Sequence, residues 1–177
     1  MKQCNIALIG FRATGKSTVG EILAGDLGME FIDMDKRLTS DAGRDIAAWV
    51  KRDGWDSFRR AESDLLGLIS SRSGLVVATG GGIVLNEQSR GVLRKKFFTV
   101  WLKATPETIY VRLSSDPGSA ETRPPLSKLP MQEEIRKVLR EREPLYARAA
   151  LIQIDTEGKQ ATGIAREIAT LFCRERS

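Results

Sequence analysis

A single glycine-rich segment near the amino terminus constrains the fold of this chain more than any other feature. Residues 10–18 read GFRATGKST and fit the pattern GxxxxGK[ST]. The apolar run before it, residues 6–9, predicts a buried strand, and residues 15–26 carry apolar side chains at helical spacing. This pattern binds phosphate when it connects a strand to a helix. The sequence therefore predicts a phosphate loop in an α/β fold rather than an accidental glycine-rich turn.

Each residue type in this loop has a physical task. Glycines allow backbone N–H groups to turn toward phosphate oxygens, and the helix that follows adds the positive end of its dipole. Lys16 can reach the terminal phosphates, and the Ser17 hydroxyl can ligate Mg²⁺. The predicted nucleotide-binding residues of the loop are Gly10, Ala13, Thr14, Gly15, Lys16, Ser17 and Thr18.

The rest of the chain alternates short apolar runs with helical patterns. Strands are predicted at residues 30–33, 75–79, 97–102 and 151–154, and helices include residues 56–70 and 132–143. Alternation of this kind predicts a parallel sheet with helices on both faces.

Composition and charge exclude several functional classes. The 177 residues suit one domain, and no apolar run is long enough to span a membrane. Residues 1–4 leave no room for a signal peptide, so we expect a cytoplasmic protein. The chain has no His and only two distant Cys, which excludes His-based triads and zinc fingers. A net charge of +5 without a long basic cluster favours small anions over nucleic acid.

Two aspartates, Asp33 and Asp35, follow the second predicted strand. Alternation along an extended chain predicts that both point to the same side, at the strand end where parallel sheets bind ligands. One carboxylate could then serve a metal ion, and the other could accept a proton from a hydroxyl nucleophile. A solvated turn with an Asp helix cap explains the pair equally well when it is taken alone.

A glycine triplet and two arginines complete the candidate site. Residues 80–82 are all Gly and could let a small ligand lie against backbone, although a tight turn is the alternative. Arg59 and Glu62 are i,i+3 neighbours, for which an exposed ion pair is the simpler interpretation. Arg142 falls on an apolar helix face, where it needs an anionic partner or a route to water. Together the two guanidinium groups could grip a carboxylate.

Residues 114–128 show no periodicity and predict a lid or a disordered loop. Arg123 lies in the middle of this segment and is followed by Pro124 and Pro125. A solvated charge is the simpler interpretation of a lone loop arginine. A lid beside a phosphate loop could instead deliver Arg123 to the transferring phosphoryl group.

The ordered set of motifs resembles shikimate kinases over nearly the whole chain. The set comprises the phosphate loop, Asp33-Met34-Asp35, Phe58-Arg59-Arg60-x-Glu62, Gly80-Gly81-Gly82, Arg123-Pro124 and Arg142-x-Pro144-Leu145-Tyr146. The resemblance implies an α/β fold like that of nucleoside-monophosphate kinases, with three α/β/α layers and a five-stranded parallel sheet. It implies one kinase domain over residues 1–177, with a phosphate loop at 10–18, a shikimate-binding region at about 33–62 and a lid at about 114–128.

The same resemblance implies a reaction and a role for each residue. The reaction is transfer of the γ-phosphoryl group of MgATP to the 3-hydroxyl of shikimate, in the biosynthesis of chorismate and aromatic amino acids. The implied catalytic residues are Lys16, Asp35 and Arg123, and the implied Mg²⁺ ligands are Ser17 and Asp33. Arg112 would lie over the adenine, and Arg123 would also contact the nucleotide. The implied shikimate-binding residues are Asp35, Arg59, Glu62, Gly80, Gly81, Gly82 and Arg142. The implied partners are ATP and shikimate, with no nucleic acid and no membrane, and the protein is expected to be a monomer.

Some positions depart from the family pattern, and other functions remain open. Arg12 occupies a loop position that is often apolar or small, and Trp49-Val50 stands where the family tends to place a Phe near shikimate. A related small-molecule kinase, for instance one acting on gluconate, would use the same loop with another acceptor pocket. A non-catalytic regulatory or nucleic-acid-binding protein could also use this scaffold.

Overall fold

The computed structural model describes residues 5–115, 125–127 and 129–176. The strands are β1 (Asn5–Ile9), β2 (Glu30–Asp33), β3 (Leu75–Ala78), β4 (Phe97–Lys103) and β5 (Ile152–Asp155). The helices are α1 (Lys16–Leu27), α2 (Met34–Ala42), α3 (Ile46–Ile69), α4 (Glu87–Lys96), α5 (Pro106–Ser114), α6 (Met131–Ala149) and α7 (Ala161–Arg176). A 3₁₀ turn, Ile83–Leu85, follows β3.

The five strands form one parallel sheet in the order β2-β3-β1-β4-β5. The central strand β1 is buried at every residue, as expected for a strand covered on both faces. Because all strands are parallel, the carboxyl ends of β1, β2 and β3 meet at one edge of the sheet. The phosphate loop, the two aspartates and the glycine triplet therefore converge there.

Alternate residues of β1 supply two separate cores. Ile6 and Leu8 pack with α1 and α7 on one face, whereas Ala7 and Ile9 pack with α3, α4 and α6 on the other. The predicted fold class, three α/β/α layers around a five-stranded parallel sheet, is confirmed. Within the described ranges, no helix is both long and apolar enough to cross a membrane.

Two helices differ from the sequence prediction. Helix α6 continues through Pro144 to Ala149 instead of ending at residue 143, because its buried face also continues, with Tyr146 and Ala149 in the core. Packing of that face offsets the backbone hydrogen bond that proline removes. Helix α3 begins at Ile46, ten residues before the predicted start, and is interrupted at Gly54, where φ is 79° and ψ is 165°.

Most of the predicted lid lies outside the described residues. Residues 116–124 and 128 fall there, and Arg123 and Pro124 are among them.

Helix α3 offers a matched test of this packing. Leu66 is 0 % exposed and Leu68 is 73 % exposed, two residues apart in one helix. We expect Leu66→Ala to lower the free energy of unfolding by about 2–5 kcal/mol, because it leaves a cavity in the core. Leu68→Ala should change it by less than about 0.5 kcal/mol. Urea unfolding of both variants measures the difference, and equal losses would contradict the orientation of α3.

Candidate active site

The phosphate loop connects β1 to α1 and closes around Lys16. The Lys16 ammonium donates hydrogen bonds to the carbonyls of Gly10, at 3.0 Å, and Phe11, at 2.7 Å. Thr14 Oγ1 donates to the Phe11 carbonyl at 2.8 Å. A side chain at Gly10 would collide with the carbonyl of Leu102. Helix α1 starts at Lys16 after Gly15, which has no side chain to cap it, so its N–H groups can serve an anion.

Ser17 and Asp33 meet beside this loop. Ser17 Oγ donates to Asp33 Oδ2 at 2.6 Å, and Asp33 Oδ1 accepts from the backbone N–H of Lys36 at 3.1 Å. Hydroxyl and carboxylate oxygens suit Mg²⁺, which commonly takes one or two protein ligands and completes its shell with water and phosphate. No larger group of His, Cys, Asp and Glu able to hold a metal occurs among the residues that the structure describes. The donor set therefore fits a magnesium ion shared with a phosphate ligand.

The prediction that Asp33 and Asp35 share one side of a strand is wrong. Strand β2 ends at Asp33, which caps α2, and Asp35 lies in the first turn of that helix. The helical turn carries Asp35 toward the glycine triplet, where Oδ1 lies 2.8 Å from the place a Cβ on Gly80 would occupy. Both carboxylates remain beside the phosphate loop, and Asp35 also reaches the glycine triplet.

Two cavities adjoin at this edge of the sheet. We call the first the loop cavity; its lining includes Lys16, Ser17, Thr18, Asp33, Asp35, Thr79, Gly81 and Arg112. We call the second the arginine cavity; its lining includes Arg12, Asp35, Arg59, Glu62, Gly80, Gly81, Gly82 and Arg142. Arg12, Asp35 and Gly81 line both cavities. A ligand in one cavity is therefore next to a ligand in the other.

Arg59 and Glu62 form a largely buried ion pair in the arginine cavity. Arg59 Nη1 donates to Glu62 Oε2, and the guanidinium lies 4.8 Å from the centre of the Trp55 ring. Glu62 is 1 % exposed, so the simpler interpretation of an exposed ion pair is wrong. Its Oε1 accepts no hydrogen bond from any described residue. Burial raises the pKa of Glu62 to about 7, against the opposing charge of Arg59.

Arg142 enters the same cavity from α6. Its Nη1 donates to the Gly81 carbonyl at 3.1 Å, and Tyr146 Oη donates to the same oxygen at 2.5 Å. Burial lowers the pKa of Arg142 from its usual value, but a guanidinium stays charged at neutral pH. Arg142 forms no ion pair with any described residue. Arg59 and Arg142 face one cavity, and Arg59 is the one that pairs there with a carboxylate, so the two groups suit a small organic anion.

Two glycines of the triplet, Gly80 and Gly82, leave room for charged side chains that lie against their backbone. A side chain at Gly80 would collide with Glu62, and one at Gly82 would collide with the guanidinium of Arg59. The structure shows close approach of the Glu62 and Arg59 side chains at Gly80 and Gly82, and close approach of a ligand there stays a prediction.

Sequence reasoning gave no role to two contributors, Trp55 and Tyr146. Trp55 lines the arginine cavity, whereas Trp49 packs edge-on against Phe58, with ring centres 5.6 Å apart. Tyr146 fixes the Gly81 carbonyl. Its place four residues after Arg142, on the same helix face, is the signal that could have identified it. Arg112 lies beside the loop and donates to the Ala13 carbonyl at 3.1 Å.

Comparison with known proteins identifies relatives over almost the whole chain. The family model for shikimate kinase matches residues 12–172. A shikimate kinase of Nitratidesulfovibrio vulgaris is 47 % identical over 83 % of this chain and 83 % of its own length. The structure of an Acinetobacter baumannii shikimate kinase in complex with shikimate superposes with a TM-score of 0.91 at 32 % identity, covering 98 % of this chain and 95 % of that one. A Sinorhizobium meliloti gluconokinase shares the fold at a TM-score of 0.59 and 18 % identity, covering 98 % of this chain and 94 % of that one.

The raised pKa of Glu62 predicts a pH-dependent stability. Unfolding returns this pKa from about 7 to the ordinary value of 4.5. Between these values the unfolded state binds fewer protons than the folded state, so the free energy of unfolding falls as pH rises. The expected fall is on the order of 3 kcal/mol, complete above pH ~7.

Chemical unfolding across this pH window tests the prediction. Glu62→Gln should abolish the fall, whereas Glu143→Gln, which changes an exposed glutamate of α6, should keep it. The same slope in wild type and Glu62→Gln would show that another group titrates.

Proposed function

The chain belongs to the shikimate kinase family, and we propose that it transfers the γ-phosphoryl group of MgATP to the 3-hydroxyl of shikimate. The chain is an ATP-dependent kinase by that membership. The observation that carries the choice of acceptor is the arginine cavity, where Arg59 and Arg142 face a common space that opens beside the phosphate loop.

The arginine cavity fits a small hydroxylated acid. Arg59 and Arg142 would hold its carboxylate, because a planar guanidinium can donate two parallel hydrogen bonds to two carboxylate oxygens. The Gly81 carbonyl accepts hydrogen bonds from Arg142 and Tyr146, so its backbone offers a fixed surface to the ring. Glu62, whose Oε1 accepts no bond from a described residue, would orient Arg59 or accept from a substrate hydroxyl.

Asp35 would act on the nucleophilic hydroxyl, because it lines both cavities and so stands where the acceptor meets the phosphate. Its carboxylate could orient that hydroxyl and take its proton as the oxygen attacks. Lys16 would bind the terminal phosphates at the centre of the loop. Arg123 stays a predicted phosphoryl ligand of the lid.

Ser17 and Asp33 would hold the magnesium ion. The Ser17 hydroxyl oxygen and an Asp33 carboxylate oxygen are hydrogen-bonded to each other, and both residues line the loop cavity. Both are hard oxygen ligands, which Mg²⁺ prefers. When bound, Mg²⁺ supplies charge neutralisation on the phosphate oxygens. We also propose a cytoplasmic monomer, because one domain carries both cavities and the exposed thiol of Cys173 suits a reducing compartment.

The acceptor is tested by ADP release from purified protein with MgATP. We expect release that depends on shikimate and is far slower with quinate, gluconate or AMP, because the arginine cavity would be shaped for one cyclic acid. A preference for gluconate would keep the kinase and reject the proposed acceptor. No turnover with any acid, together with nucleic-acid affinity that falls steeply with salt, would support a binding protein instead.

Replacement of Arg142 tests the carboxylate clamp. Arg142→Lys substitutes a point charge for a planar fork, so we expect KM for shikimate to rise at least about tenfold, or ~1.4 kcal/mol. Arg148→Lys, an exposed position of the same helix, is the matched control and should leave KM unchanged. Steady-state kinetics at saturating MgATP measures both, and an unaltered KM in Arg142→Lys would place the carboxylate elsewhere.

A further inference from the structure

Arg12 is held in place by a buried carboxylate that is far away in sequence. Its Nη2 donates to Glu134 Oε1 at 2.6 Å, and the two side chains are 16 % and 2 % exposed. Glu134 lies in the first turn of α6. Its second oxygen, Oε2, accepts from the backbone N–H of Ser127 at 2.7 Å and from Ser127 Oγ at 3.1 Å. The carboxylate therefore has a fixed donor on each oxygen.

Arg12 also stands at the boundary between the two cavities. Arg12, Asp35 and Gly81 are the residues that line both. A phosphoryl group that passes from the loop cavity to the arginine cavity must cross the region they share. Arg12 is the cation among these three, whereas Asp35 carries a carboxyl group and Gly81 has no side chain.

We propose that Arg12 is a further catalytic residue of this chain, which neutralises the phosphoryl group during transfer, and that Glu134 is the positioning residue that holds it. This inference rests on the proposed function. In the step, the bond from the acceptor oxygen to the γ-phosphorus forms while the bond from that phosphorus to the bridging oxygen breaks. ADP leaves with the electron pair of the broken bond, and the hydroxyl proton goes to Asp35.

A guanidinium that is fixed in position can stabilise the charge of a transferring phosphoryl group. Charge spreads over the equatorial oxygens of the phosphoryl group in the transition state, and a cation already in place stabilises it without reorganisation. Glu134 supplies that fixation. The two hydrogen bonds from Ser127 fix the carboxylate that holds Arg12.

The test is a double-mutant cycle with shikimate and MgATP. Because Arg12→Met alone leaves Glu134 buried without its ion-pair partner, the cycle includes the neutral double variant Arg12→Met/Glu134→Gln. The matched control is Glu107→Gln/Arg136→Met, which removes an ion pair whose side chains are 64 % and 56 % exposed. Circular dichroism and melting temperature establish that each variant is folded.

We expect the neutral double variant to lose at least about tenfold in kcat, with both KM values within about threefold of wild type, because the lost interaction belongs to the transition state. Glu134→Gln alone should lower kcat by a smaller factor. Added to Arg12→Met, it should have no further effect, because it acts through Arg12. The control pair should retain wild-type kcat.

Two results would overturn the inference while leaving the proposed function intact. One is a folded double variant with kcat within about twofold of wild type. The other is a rise in KM with unchanged kcat, which marks ground-state binding only. If the wild-type protein itself shows no turnover with shikimate, the proposed function fails first and the inference fails with it.

Discussion

The site depends on charged side chains that lie directly against bare backbone. Glu62 and Asp35 lie against Gly80, and the guanidinium of Arg59 lies against Gly82. A β-carbon at either position would force the charged group beside it to shift. The triplet itself is anchored by β3 and by the two donors on the Gly81 carbonyl. The cavity is therefore shaped as much by absent side chains as by the arginines that line it.

Burial of charge costs free energy, and it affects Glu62 and Arg142 differently. Glu62 is almost fully desolvated beside Arg59 and carries a pKa near neutrality, whereas Arg142 keeps its charge with a backbone carbonyl and a tyrosine hydroxyl as neighbours. An anionic ligand would supply the compensating charge that Arg142 does not obtain from the described residues. Stability and ligand affinity are linked for this reason, since an anion bound to Arg142 would stabilise the folded state.

Much of the fold was predictable because the sheet is buried on both faces and its strands are short continuous apolar runs. The strand at residues 30–33 was predicted with the observed bounds. The position of the phosphate loop between a strand and a helix was also predicted. The helical position of Asp35 was not predicted. The alternation of side chains along a strand was assumed to continue beyond Asp33, whereas Asp33 ends the strand and caps a helix. The continuation of α6 through Pro144 escaped prediction because core packing outweighs local propensity there. The burial of Glu62 depends on glycines 18 or more residues further along the chain, and no local pattern reports it.

The interruption of α3 at Gly54 determines which side chains can form the apolar wall of the arginine cavity. Ile46 and Trp55 both line that cavity, yet they are nine residues apart, and in an unbroken helix this separation places side chains about 180° apart. The non-helical backbone at Gly54 rotates the second part of α3 relative to the first and removes this mismatch. The wall is thus assembled from two helical segments, and it is the break between them that lets both contribute side chains to one cavity.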